Sequence, residues 1–145
     1  MQKIGTCLWY DNNAEEAVNF YTSIFKNSKI GRVLRYDSAS AAASGQPEGT
    51  ILTIEFELEG QEYTALNGGP IFKFNESVSL IVNCKSQEEV DYYWNALTAN
   101  GGQESQCGWL KDKFGLSWQI TPTRLVELIN DKDAVKAHRA MQAML

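Results

Sequence analysis

Histidine is almost missing from this chain: His138 is the one imidazole in 145 residues. That scarcity removes the commonest general base and the commonest first-row metal ligand from nearly the whole sequence. Cysteine is sparse as well. Cys7, Cys84 and Cys107 make an odd count with no CxxC spacing, which argues against a disulfide framework or a zinc knuckle and leaves reduced thiols as the expectation. No segment approaches the roughly 20 apolar residues needed to span a bilayer, and residues 1–13 hold no apolar run of signal-peptide length, so the reading is a soluble, cytoplasmic protein with no membrane partner. A GxSxG elbow is absent, and serine hydrolase chemistry would have no eligible histidine. Thirteen basic residues against eighteen acidic ones give a net charge of −5. The Lys and Arg are scattered rather than gathered into a stripe, which argues against a nucleic-acid partner.

What is present is enough apolar material for a real core: 43% hydrophobic residues, with four Trp, six Tyr and six Phe. Ile4 to Tyr10 alternates two sets of residues with the period of a strand. Asp11-Asn12-Asn13 breaks it, and Asn13 is placed to N-cap a helix to about Lys26 whose Ala17, Phe20, Tyr21 and Ile24 share one face. Strands are expected at Lys29 to Tyr36, Thr50 to Leu58 and Glu62 to Asn67, with a tight turn at Glu59-Gly60. Between the first two, Ser38 to Gly49 reads as a loop of small residues that could act as a flap. From Ser77 the order starts again: a strand to Cys84, a helix opened by Ser86 with Glu89 as a capping box, then short strands around Gln103 to Leu110 and Leu116 to Thr121. The helix carries Val90, Tyr93, Trp94 and Leu97 on one face. Thr123 to Asn130 and Ala134 to Leu145 read as C-terminal helices. The fold class is therefore α+β, built from tandem βαβββ modules: module one at about 3–70, module two at about 75–122, and C-terminal helices over 123–145, all within one domain.

A tandem repeat of this kind over residues 3–122 resembles the vicinal-oxygen-chelate superfamily, the glyoxalase/bleomycin-resistance/dioxygenase fold. Leu66-Asn67-Gly68-Gly69-Pro70-Ile71-Phe72-Lys73-Phe74, Gln87-Glu88-Glu89-Val90-Asp91-Tyr92-Tyr93-Trp94, Gln106-Cys107-Gly108-Trp109-Leu110-Lys111-Asp112-Lys113 and Gly115-Leu116-Ser117-Trp118-Gln119-Ile120 are similar to the PhnB-like branch. Members of that branch often bear the name 3-demethylubiquinone 3-methyltransferase. The resemblance implies an open, U-shaped sheet cleft that holds a ligand. Its metal-using members carry His and Glu on the first and last strand of each module, positions that fall here at Gly5, Ala65, Ser77 and Gln119. None is an imidazole or a carboxylate, so no metal and no cofactor is expected. No strand leads into a Gly-rich turn of the type that cradles S-adenosylmethionine.

Strand parity extends the expected pocket from those positions. Cys7 and Trp9 share Gly5's side; Tyr63, Ala65 and Asn67 are expected to point in, as are Ser77, Ser79, Ile81 and Asn83. Leu52, Ile54, Phe56 and Leu58 should pack under helices, leaving Glu55 as the one plausible buried acid, although Glu55, Glu57 and Glu59 at alternate positions also read as a solvated strand face. The pocket set is thus Trp9, Glu55, Asn67, Phe72, Ser79, Trp109 and Gln119, suited to a small ligand with an apolar part and a few hydrogen-bonding groups. Cys107 has no histidine partner and reads as an inert thiol, and His138 as a surface residue. Three functions stay open. The first is a metal-independent small-molecule binder, acting as a homodimer. The second is an enzyme of lyase, isomerase or dioxygenase type using Glu55 as base or an atypical metal site. The third is the methyltransferase of the family name.

Overall fold

The computed structural model of the chain describes residues 1–144. Two compact units divide it, Met1–Lys73 and a second from Phe74 onward.

In the first unit β1 (Thr6–Tyr10), α1 (Ala14–Ile24), β2 (Ser28–Arg35), α2 (Ser38–Ser44), β3 (Ile51–Leu58) and β4 (Gln61–Asn67) follow in order. Their sheet has the order β1-β4-β3-β2, with β1 and β4 parallel and the remaining pairs antiparallel. The period-2 patterns predict its two faces. Leu8, Tyr10, Ile54, Phe56 and Leu58 are buried, as are Ala14, Ala17, Val18, Tyr21 and Ile24 of α1, which lies across that face. Each large side chain so removed from water contributes roughly 1.5–3 kcal/mol. Tyr21 stacks on Phe56 and Phe56 on Tyr63, while the Tyr10 hydroxyl meets that of Tyr21 at 3.0 Å.

Three local expectations change. Asn13 holds the N-cap position of α1 without a side-chain hydrogen bond. The cap comes from across the sheet, where Asn67 Oδ1 accepts from the Ala14 amide at 2.9 Å. The Ser38 to Gly49 stretch is not a plain loop: its first seven residues form α2, with Asp37 and Ser40 in a reciprocal capping box and Gly45 closing the helix in the left-handed region at φ 76°. Small residues at Ala39 and Ala41–Ala43 read as loop because no apolar stripe marks them, yet alanine is the best helix former once a cap is in place. Ile4 is 84% exposed and precedes the strand rather than opening it.

The second unit repeats the order as β5 (Ser79–Cys84), α3 (Gln87–Thr98), β6 (Gln103–Glu104), β7 (Trp109–Lys111) and β8 (Ser117–Pro122), followed by α4 (Thr123–Ile129) and α5 (Ala134–Met144). Its sheet order, β5-β8-β7-β6 with β5 and β8 parallel, reproduces that of the first unit. Cys84, Leu97, Leu110, Trp118 and Ile120 form the buried face. Ser86 caps α3 through the Glu89 amide, but the Glu89 carboxylate turns to the Lys85 amide, so the capping box is completed one residue early. The last residue of the expected C-terminal helix, Leu145, lies outside the described residues. Among the described residues no helix is long and apolar enough to cross a membrane.

Candidate functional site

Each sheet has one face covered by its helix and one that is not, and register decides which side chains share them. In the first unit Leu8 pairs with Ala65 and Tyr10 with Asn67; Ile54 pairs with Ala65 and Phe56 with Tyr63. Directly paired residues project to the same side. Tyr63, Ala65 and Asn67 therefore lie on the α1 face, which corrects their expected inward orientation. Asn67 is buried and fully engaged, accepting from Ala14 and donating from Nδ2 to the Ile51 carbonyl at 3.1 Å, and its own carbonyl accepts from the Tyr36 hydroxyl at 2.5 Å. It is a scaffold residue. The sequence error was one of parity, since matching Ala65 to a ligand position put the whole strand on the wrong side.

The helix-free face of this sheet carries Cys7 and Trp9 from β1, Thr64 from β4 and Glu55 and Glu57 from β3. Glu55 is not buried: its side chain is 39% exposed, and Oε1 accepts from the Arg32 guanidinium at 2.8 Å. That partner arrives through a bulge. Ile30 and Val33 pair with Phe56 and Ile54, so Gly31 and Arg32 together face Glu55. The carboxylate holds the Arg32 guanidinium above its ordinary pKa by hydrogen bond and charge. Glu57 faces Lys29 at 3.6 Å. Between these rows lies a concavity of about 470 Å³ lined by Lys3, Gly5, Lys29, Glu55, Glu57 and Thr64 among others. Further along β1, Trp9 donates from Nε1 to the Gly69 carbonyl at 2.9 Å and meets Phe72 edge to face at 4.9 Å. Gly68 makes this possible, because a Cβ there would sit 2.2 Å from the indole ring. Phe72 remains 62% exposed.

On the second sheet the parity of the sequence reading is right. Trp109 pairs with Gln119 and Gln119 with Ile81; Lys111 pairs with Ser117 and Ser117 with Ser79. These form two adjacent rows on the face opposite Leu110, Trp118 and Ile120. Gln119 Nε2 donates to Ser79 Oγ at 2.9 Å, and Lys111 is ion-paired with Glu76, whose carboxyl it holds below the ordinary range. Trp109 is aimed by a tight turn in which Cys107 and Gly108 both adopt positive φ and the Trp109 amide returns to the Gln106 carbonyl. Only glycine fits at 108, since a Cβ would lie 2.9 Å from the Ile120 carbonyl oxygen.

Sequence reasoning missed the buried Asp112. Its Oδ1 accepts from the Phe114 and Leu116 amides at 2.9 and 3.1 Å, and Oδ2 from Trp118 Nε1 at 2.9 Å. An acid two residues before a Phe-Gly turn was the available signal, as an Asx turn. Arg32, Lys111 and Ser117 were missed because a cation or hydroxyl on a strand carries no local mark of its cross-strand neighbours. Buried Cys84 is pushed up to about 11, chiefly by desolvation and then by the Glu89 charge, so it is a thiol and not a nucleophile. His138 is exposed on α5.

The metal positions implied by the resemblance do not fit a metal. Gly5 has no side chain, Ala65 lies beneath α1, the Ser77 hydroxyl donates to Asn75 Oδ1, and Gln119 presents an amide tied to Ser79. Among the described residues no group of three or more His, Cys, Asp or Glu is placed to hold an ion.

A model of the 3-demethylubiquinone-9 3-methyltransferase family matches residues 2–121. Among solved structures, the Bacillus cereus PhnB protein that bears the same methyltransferase name is 37% identical, with a TM-score of 0.70 over 83% of this chain and 99% of that one. A glyoxalase/bleomycin resistance protein from Albidiferax ferrireducens is 17% identical, with a TM-score of 0.51 over 83% and 98% of the two chains. A fosfomycin resistance protein from Listeria monocytogenes is 16% identical, with a TM-score of 0.54 over 84% and 93%. These last two show the fold alone. No curated protein is matched. The repeated βαβββ order, the two sheet orders and the match over residues 2–121 together place the chain in the PhnB-like 3-demethylubiquinone-9 3-methyltransferase family, on a fold shared with the glyoxalase/bleomycin resistance protein.

Proposed function

We propose that this chain is a metal-independent small-molecule binding protein whose ligand lies against the helix-free face of the second sheet. The observation that carries the reading is the ordered Ser79–Gln119 pair beside Trp109, a hydrogen-bonding floor next to an aromatic wall, on a face from which the core is excluded. Binding needs no acid, base or ion, and the metal positions supply none. A cytoplasmic setting is supported by three free cysteines, Cys7, Cys84 and Cys107. Self-association as a homodimer is supported by β2, an edge strand with Ile30, Val33 and Leu34 exposed.

The test is native mass spectrometry of untagged protein, followed by a small-molecule screen read at the Trp109 indole. A retained or screened ligand that shifts Trp109 and is lost in Gln119→Ala supports the reading; turnover abolished by Glu55→Gln with ligand binding intact would replace it with an enzyme. The Arg32 ion pair weakens that alternative, because it ties one of the two carboxylate oxygens to a guanidinium. The methyltransferase name is tested by calorimetry with S-adenosylmethionine. The turns into α1 and α3, Asp11-Asn12-Asn13 and Lys85-Ser86, contain no glycine to let a nucleoside approach the backbone.

A further inference from the structure

Resting on that reading, we propose that the second sheet's helix-free face selects ligands in which a carboxylate or similar oxyanion is separated from a planar apolar group by a short spacer, and that Glu76 occupies the anion position until the ligand displaces it. The two rows differ in chemistry. Trp109, Gln119 and Ile81 form one, with Ile81 58% exposed; Lys111, Ser117 and Ser79 form the other. The first offers an aromatic plane, an amide and an aliphatic surface, and the second two hydroxyls flanked on one side by an ammonium.

Ser117 supplies the independent observation. It is 1% exposed, and among the described residues its buried hydroxyl oxygen has no hydrogen-bond partner. A buried hydroxyl left unpaired is rare enough to require explanation. Of its cross-strand neighbours, Lys111 can only donate, while Ser79 Oγ already accepts from Gln119; an acceptor is the partner that serves both the Ser117 hydroxyl proton and the ammonium, and with an ammonium present the favoured acceptor is anionic. The protein already provides one such group: the Glu76 carboxylate on Lys111. Glu76 is 63% exposed whereas Lys111 is 35% exposed, so the carboxylate is the partner that can leave with little lost packing. Residues two apart on a strand lie about 6.7 Å apart, which brings ring and anion within the reach of a linker of two or three methylenes.

The probe is therefore 3-phenylpropanoate, with 3-phenylpropanamide as its neutral counterpart, titrated against the full chain with the Trp109 indole resonance and calorimetry as readouts. The acid should bind about tenfold more tightly than the amide, and Lys111→Met should remove that preference while Lys111→Arg retains most of it. Glu76→Gln should tighten the acid by about twofold to fivefold, the scale of one surface ion pair released, and leave the amide unchanged. Equal binding of acid and amide, indifferent to Lys111→Met, overturns the anion assignment while leaving small-molecule binding standing. Absence of any Trp109 shift with either probe overturns this ligand class, whereas the native mass spectrum decides separately whether the chain is a binder at all.

Discussion

Asn67 uses both ends of its amide on backbone groups, holding the first turn of α1 and the start of β3 to the end of β4. Removing it leaves the Ala14 amide and the Ile51 carbonyl without those partners in a buried setting. Asn67→Ala should cost about 2 kcal/mol of unfolding free energy in urea titration, with no change in ligand binding on the second sheet. Asp112 has the same character on a larger scale, since three donors converge on one buried carboxylate. Asp112→Asn keeps the shape but turns a donor toward donors, and the expected loss is about 2–3 kcal/mol together with a displaced Trp118 indole resonance. Asp112 carries a local mark in its Asx-turn spacing before Phe114-Gly115, whereas nothing in the local sequence of Asn67 distinguishes a scaffold amide from one that faces a ligand. That distinction lies in the partner strand.

Among the elements, α2 depends on the Asp37–Ser40 box. The Ser40 backbone amide and hydroxyl hold the Asp37 carboxyl below its ordinary value. A carboxyl whose folded pKa is depressed contributes stability above its unfolded pKa and loses it as pH falls through the folded one. Acidification below the ordinary aspartate range should therefore release amide protection at Ser40 and Ala41 before the sheet unfolds, and Asp37→Asn should flatten that pH dependence. Hydrogen exchange checks both. In the Gly68 turn the constraint is steric. Gly68→Ala places a methyl into the Trp9 ring and should cost about 1–3 kcal/mol with red-shifted tryptophan emission, while Gly5→Ala, where nothing lies within 4 Å, should be close to neutral. The asymmetry between two glycines of one unit is invisible in sequence, because it depends on the Trp9 indole, 59 positions before Gly68.

For the molecule as a whole, the donor set predicts that protein purified without added metal carries no stoichiometric divalent ion by elemental analysis and that chelation leaves its melting temperature unchanged. The sequence by itself determined the repeat, the strand and helix order apart from α2 and the division of β6 from β7, and most of the buried face, because hydrophobic periodicity of 2 and 3.6 is a local property that survives without knowledge of neighbours. Ile54, Phe56 and Leu58 of β3 and Ala17, Tyr21 and Ile24 of α1 were legible in that way. It also determined that neither repeat module holds an imidazole, since His138 lies beyond both. Only the tertiary structure decided that Asn67 caps a helix, that Glu55 faces Arg32 across a bulge, and that Lys111, Ser117 and Ser79 share a row. Cross-strand register pairs residues up to 57 positions apart, as Thr6 with Tyr63, and the register is fixed by packing and hydrogen bonds that no local pattern encodes.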